Sequence, residues 1–175
     1  MMECQSYVLD SNVFIQAANQ YYAFDLVPSF WEGLVWHADR GRVLSIDRVS
    51  QELTKGQDEL WSWARDHFSS AFASTNEKNV IEVYGDIMKW AKEQTQFTAA
   101  ARAGLASGAD AWLVAYAKAK GCIVVTQETP APGSRARVKI PDICEAFEVP
   151  FTNTFDMLRD LGGLGRQAAA TREGL

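Results

Sequence analysis

Leu9-Asp10-Ser11-Asn12-Val13-Phe14, preceded by Tyr7-Val8, is the stretch on which the reading of this chain turns. Tyr7-Val8-Leu9 is an apolar run of β-compatible residues, so residues 5–10 read as a short buried strand. Asn12 to Tyr21 then reads as a helix, with Val13, Phe14, Ala17 and Ala18 as its apolar stripe. An acid that closes a strand just before a helix stands on the rim of a sheet. Asp10 either projects into a crevice there or, with Asn12, merely caps the helix, since both are favoured caps. Asn12 can also donate a hydrogen bond that orients a carboxylate.

The same alternation continues outward. A second helix is expected after Pro28, which suits a first helical turn; it carries Phe30, Trp31, Leu34 and Val35 and stops at Gly41. Val43-Leu44-Ser45-Ile46 reads as a strand, and Asp47 as the N-cap of a helix through Leu53. Gly56 ends that helix and Asp58 caps another to about Phe68. Residues 76–96 read as one long amphipathic helix that buries Val80, Ile81, Val83, Tyr84, Ile87, Met88 and Ala91. Residues 98–106 have helical composition, Ser107-Gly108-Ala109 breaks it, and Asp110 starts a helix to Lys120. Cys122 to Thr126 is the clearest strand, followed by a proline-bearing loop from Thr129 to Ser134. A short helix (141–147), an edge strand (149–152) and a last helix (154–161) complete the pattern. Strands separated by helices predict a three-layer α/β/α fold with a central, mostly parallel sheet. One domain over residues 1–161 is expected, with 162–175 as a frayed tail.

The 175 residues are 47% apolar and 22% charged, a globular composition. No apolar run approaches the roughly 18 residues that span a bilayer, and the N-terminus lacks the pattern of a signal peptide. The three cysteines, Cys4, Cys122 and Cys144, form no Cys-x-x-Cys pair and suit neither a zinc site nor a disulfide framework. A cytoplasmic setting is therefore expected. A net charge of −5 argues against coating nucleic acid by bulk electrostatics. Nucleic-acid contact would have to be local, and Arg135, Arg137 and Lys139 form the clearest basic cluster, unless they are a solvated loop. Lys55 is either a solvent-facing partner or a phosphate contact. His37 and His67 read as packing or surface residues. Most of the six tryptophans read as core or interface, with Trp112, two residues beyond Asp110, as the one to watch.

In a parallel sheet the carboxyl ends of the strands and the starts of the following helices share one rim, where sites form. Four acids fall there: Asp10, Glu52, Asp110 and Glu128. Each has a bland alternative, for Asp110 a favourable first-turn charge and for Glu52 and Glu128 an ordinary surface position. Together they would repel one another, and a hard divalent cation with oxygen preference, Mg²⁺ or Mn²⁺, is the usual reason for such a ring. The chain has neither Gly-x-x-x-x-Gly-Lys-Ser/Thr nor Gly-x-Gly-x-x-Gly. Asn12 stands where a haloacid-dehalogenase-type phosphatase would need a second aspartate.

These pieces resemble the PIN-domain superfamily of metal-dependent ribonucleases, which includes the VapC-type toxins of bacterial toxin–antitoxin pairs. The resemblance is carried by LDSNVF (9–14), SIDRVSQELTKG (45–56), GADAWLVAYAKAKG (108–121) and Thr126-Gln127-Glu128. It covers about residues 5–153, and NxYYxFDxxPxFW (19–31) with KIPDIC (139–144) is similar to an uncharacterised PIN-like branch. Two departures stand out: the fourth acid is Glu rather than Asp, and a long proline-bearing loop follows it, so Asp142 is a candidate substitute for Glu128. The resemblance implies an endoribonuclease, with Asp10, Asp110, Glu52 and Glu128 binding Mg²⁺ or Mn²⁺. The ion would lower the pKa of a water and offset charge on the scissile phosphate. Asn12 and Thr126 would support the ligands. Lys55, Arg135, Arg137 and Lys139 would contact the backbone of single-stranded or looped RNA. A homodimer and a protein antitoxin are implied partners, and the aromatic stretch 21–36 is either a partner surface or core. The competing readings are a structure-specific DNA nuclease and a catalytically silent PIN-like binding module.

Overall fold

The computed structural model describes residues 5–163. Most of the expected tail, residues 164–175, lies outside them, as does Cys4. Five parallel strands run in the order β3-β2-β1-β4-β5: β1 (Tyr7–Leu9), β2 (Val43–Ile46), β3 (Phe72–Ala73), β4 (Ile123–Val125) and β5 (Phe151–Thr152). Helices α1 (Ser11–Gln16), α2 (Pro28–Ala38), α3 (Asp47–Thr54), α4 (Glu59–Trp63), α5 (Lys78–Glu93), α6 (Ala99–Ser107), α7 (Asp110–Lys120), α8 (Ile140–Ala146) and α9 (Thr154–Asp160) form the outer layers. The architecture is the expected α/β/α sandwich, with a sheet parallel throughout.

β1 is central because all three of its side chains are buried. It pairs with β2 on one side (Tyr7↔Val43, Val8↔Leu44) and with β4 on the other (Tyr7↔Ile123, Val8↔Val124, Leu9↔Val125). The chain fills one half of the sheet with β2 and β3, then returns past β1 to build β4 and β5. The strand order therefore reverses between β1 and β4, and a crevice opens beyond their carboxyl ends. The Ser45 hydroxyl, fully buried, donates to the Leu9 carbonyl at 2.6 Å where the β1–β2 pairing ends. That bond satisfies a carbonyl which would otherwise be costly to bury.

Several local readings change. β3 has no counterpart in the sequence reading; it is two half-buried residues in a polar stretch, too short for periodicity to reveal. α1 and α4 each relax into a π-helical turn, Ala17–Tyr21 and Ala64–Phe68. α5 is shorter than the expected 76–96, and Ile81 is 44% exposed rather than buried. Asp47 is the first residue of α3, not its N-cap: its carboxylate accepts the Arg48 N–H at 2.8 Å and ties across to the Thr75 N–H and hydroxyl at 3.1 and 2.8 Å. Asp58 does cap α4, accepting the Trp61 N–H at 3.0 Å. α7 is apolar nearly all round, burying Ala111, Leu113, Val114, Ala115, Tyr116 and Ala117 against its neighbours. It ends at Gly121, whose φ of 71° lets the Cys122 N–H reach back to the Ala117 carbonyl at 3.0 Å. None of the described helices is long and apolar enough to cross a membrane.

Candidate active site

The backbone ladder runs one residue past the strands on either side of the switch point. The Asp10 N–H donates to the Val125 carbonyl and the Thr126 N–H to the Thr152 carbonyl, both at 3.0 Å. Asp10 and Thr126 are thus held in extended backbone at the bottom of the crevice, each only 2% exposed. Asp10 occupies the N-cap position of α1, yet its carboxylate makes no capping bond. It accepts instead from the Thr126 hydroxyl at 3.2 Å and the Ser11 hydroxyl at 3.3 Å. The Asp10 side chain thus turns toward β4 and does not cap the helix. Asn12 was expected to orient a carboxylate, but among the described residues the donors to Asp10 are Ser11 and Thr126.

The other acids reach this rim from different elements. Glu52, expected at a helix start, lies instead in the last turn of α3 because Asp47 begins that helix, and it accepts the Ala109 N–H through Oε1 at 3.1 Å, which fastens α3 to the start of α7. Gly108 keeps that junction tight: a Cβ there would stand 3.3 Å from the Gly104 carbonyl and 3.9 Å from Glu52 Oε1. Asp110 opens α7 with its side chain 23% exposed. Glu128 follows β4 with its side chain only 7% exposed. Its Oε2 accepts the Ile140 N–H at 2.8 Å, and its Oε1 holds Arg137 at 2.5 Å. The same guanidinium nitrogen lies 3.7 Å from Asp110 Oδ2.

Burial and mutual repulsion act together on these carboxylates. Asp10 is pushed up from 3.8 to about 7, first by desolvation, then by the charges of Asp110 and Glu128, with Glu52 adding a smaller push and the Thr126 hydroxyl opposing it. Asp110 is pushed up to about 6 by desolvation and then by Glu128, while Arg137 pulls it down. Four acids separated by up to 118 positions in sequence therefore share one electrostatic environment. All four acids have donors or a cation beside them, but Asp10 and Asp110 are the two whose charged forms burial and neighbouring acids disfavour.

That donor set fits a hard cation held in an open manner. Mg²⁺ usually binds through one or two carboxylates together with waters and substrate phosphates, not through an all-protein cage. Among the described residues no three Asp, Glu, His or Cys side chains converge tightly enough to hold an ion unaided. Asp10 and Asp110 would be the primary ligands, with Glu128 and Glu52 nearby. Asp142 ties the loop down, both of its oxygens accepting the Ala131 N–H at 3.1 Å, and it is Glu128, not Asp142, whose charge acts on Asp10 and Asp110. Arg137 stands at the carboxylates themselves, whereas Arg135 is exposed and Lys139 half-buried at the N-cap of α8. Lys55 is exposed at the end of α3. Trp112 stacks on Tyr84 at 3.8 Å and has the Arg48 guanidinium 4.4 Å from its centroid, so packing accounts for its ring faces. The sequence reading missed the roles of Ser11 and of the Ala109 and Ile140 N–H groups; backbone donors leave no mark on residue type.

A family model described as a domain of unknown function, DUF4411, matches residues 7–163. No curated protein matches the chain in sequence. Two solved structures are similar in fold. One is VapBC2 from Rickettsia felis, bound to a DNA fragment from their promoter, at 16% identity over 85% of this chain and 98% of that chain, with a TM-score of 0.50. The other is FitAcB from Neisseria gonorrhoeae, at 17% identity over 85% and 98% of the two chains, with a TM-score of 0.50. The chain belongs to the DUF4411 family, and its fold is PIN-like.

Proposed function

We propose that this protein is a metal-dependent endoribonuclease and the toxin of a toxin–antitoxin pair. The observation that carries the nuclease reading is the pair of carboxyls, Asp10 and Asp110, held at the switch point of the sheet and forced upward by burial and by Glu128. Carboxyls placed where burial disfavours their charged form are a feature of sites that bind a cation or carry out chemistry. A bound Mg²⁺ or Mn²⁺ supplies a more acidic water and charge neutralisation at a scissile phosphate. Asp10 and Asp110 orient that chemistry, and the Ser11 and Thr126 hydroxyls fix the Asp10 carboxylate. Glu52 holds the α7 start in place through Ala109, and Lys55, Arg135, Arg137 and Lys139 meet the RNA backbone. The toxin assignment, with an antitoxin partner, rests on the motif resemblance and is supported by a fold shared with VapBC2 and FitAcB; the homodimer rests on the resemblance alone, and the cytoplasmic setting on the cysteine usage.

The experiment is cleavage of a mixed RNA pool by the purified protein in Mg²⁺ or Mn²⁺, with EDTA controls and matched Asp10→Asn and Asp110→Asn preparations. Metal-dependent cutting that both variants lose is the expected result. Intact RNA alongside cut DNA would redirect the assignment to a DNA nuclease. Intact RNA and DNA, with metal still bound, would make this a binding module.

A further inference from the structure

The guanidinium of Arg137 lies where a cation is most attracted. Its Nη2 is 2.5 Å from Glu128 Oε1 and 3.7 Å from Asp110 Oδ2. The position is not that of a loose surface side chain finding the nearest acid. The loop that carries it is fastened on both shoulders: Thr98 N–H donates to the Arg135 carbonyl at 3.0 Å, Gln96 Nε2 to the Pro132 carbonyl at 2.7 Å, and Ala131 N–H to Asp142. Val138, next in sequence, is 2% exposed and pins the backbone from the other side. Glu128 is correspondingly turned away from open coordination, with one oxygen on Arg137 and the other on the Ile140 N–H.

Resting on the metal-nuclease reading above, we infer that Arg137 is an internal competitor of the divalent cation for Glu128. Both cations draw on the negative charge of Glu128 Oε1, and the guanidinium already occupies one of its lone-pair directions at hydrogen-bond distance. A divalent ion binding through that oxygen meets the Arg137 charge beside it, so the ion pair lowers apparent metal affinity by up to what the pair contributes. The side chain has somewhere to go. It is half exposed, and a cavity of about 230 Å³ lined by the small residues Ala100, Ala101, Gly104 and Ala136 adjoins it and Asp110. Sharing one carboxylate between a fixed internal cation and an exchangeable one shifts occupancy of the site to higher metal concentration without changing the steepness of the binding curve.

The test is Mn²⁺ binding by calorimetry to the wild-type chain, Arg137→Gln, Glu128→Gln, the double variant and Asp10→Asn. A partly exposed pair of this kind sets the scale: Arg137→Gln is expected to bind Mn²⁺ about two- to fivefold more tightly. The gain must vanish in the Glu128→Gln background, because there the competition has no object. An unchanged affinity in Arg137→Gln overturns the inference, and so does a gain that persists without Glu128, which would be the general field of a removed positive charge. In either case Asp10→Asn still weakens binding if the metal-site reading stands. Failure of the wild-type chain to bind Mn²⁺ sinks both. Arg137→Lys, which keeps the charge but not the fork, guards against a folding artefact and is expected to fall between the wild type and Arg137→Gln.

Discussion

Asp10 and Phe14 stand one helical turn apart and are equally hidden, at 2% and 0% exposure, but their burial has opposite consequences. Phe14 enters an aromatic cluster with Phe68 at 5.5 Å and Trp63 and Phe72 at 6.2 Å, extended by Phe24 and Trp31 stacked at 4.0 Å. Each ring there gains by leaving water, and edge and tilted contacts add to that gain. Asp10 enters a site where it loses its hydration for two hydroxyl donors and faces three other acids. The first region lowers the free energy of the fold; the second raises it. A chain that keeps both shows which of its buried residues serve stability and which serve something the isolated fold does not need.

The largest effect is expected for Phe14→Ala, a loss of about 3–5 kcal/mol of unfolding free energy from the cavity it leaves, read by urea denaturation. A loss under about 1 kcal/mol would mean the cluster is not the stabilising region.

Asp10→Asn should carry the opposite sign, a gain of about 1–3 kcal/mol at pH 7 in EDTA, or roughly 2–10 °C in melting temperature. Its pH dependence follows from the raised carboxyl. Below its ordinary value of 3.8 the group is protonated in folded and unfolded chains alike. Between 3.8 and about 7 the unfolded chain ionises while the folded one keeps the proton, so stability falls as pH rises through that window. The wild type should therefore lose stability relative to Asp10→Asn on going from acid to neutral pH. A difference that is flat across the window would contradict an elevated Asp10.

Thr126→Val, nearly isosteric, should cost about 1 kcal/mol. It removes the hydroxyl that donates to Asp10 and accepts from the Glu128 N–H at 3.1 Å. In EDTA it should also extend the pH window of the Asp10 effect upward, since the Thr126 bond is what holds that carboxyl down. The smallest effect concerns Cys144, fully buried with its thiol pushed up to about 12 by desolvation. Iodoacetamide at pH 8 should leave it unmodified in the native protein and alkylate it once denatured. Rapid native labelling would mean that α8 and its surroundings open far more easily than their burial implies.

What was legible beforehand, and what was not, divides along the range of the interactions. Tyr7-Val8-Leu9, Val43 to Ile46 and the run from Cys122 were readable as strands because burial on both faces leaves an apolar run. The stripe of α5 and the break at Gly108 were readable because they act within a few residues. Phe72-Ala73 was not, since two residues carry no period and its pairing with Ser45 and Ile46 is a fact of the sheet. Ile81 was assigned to the core because the pattern shows an apolar side chain but not what covers it.

The site divides in the same way. From residue types alone came the alternation of elements and the placing of Asp10 and Glu128 at strand ends and Asp110 at a helix start, though not of Glu52 in the last turn of α3, because side-chain type, propensity and spacing are local properties. Only the tertiary structure decided that β1 and β4 are neighbours, that Asp10 is oriented by Ser11 and Thr126 and not by Asn12, and that Arg137 reaches Glu128 while Asp142 turns to Ala131. Those outcomes depend on which distant segments the packing brings within hydrogen-bond distance. Electrostatic coupling between carboxylates exists only once the sheet has closed the space between them.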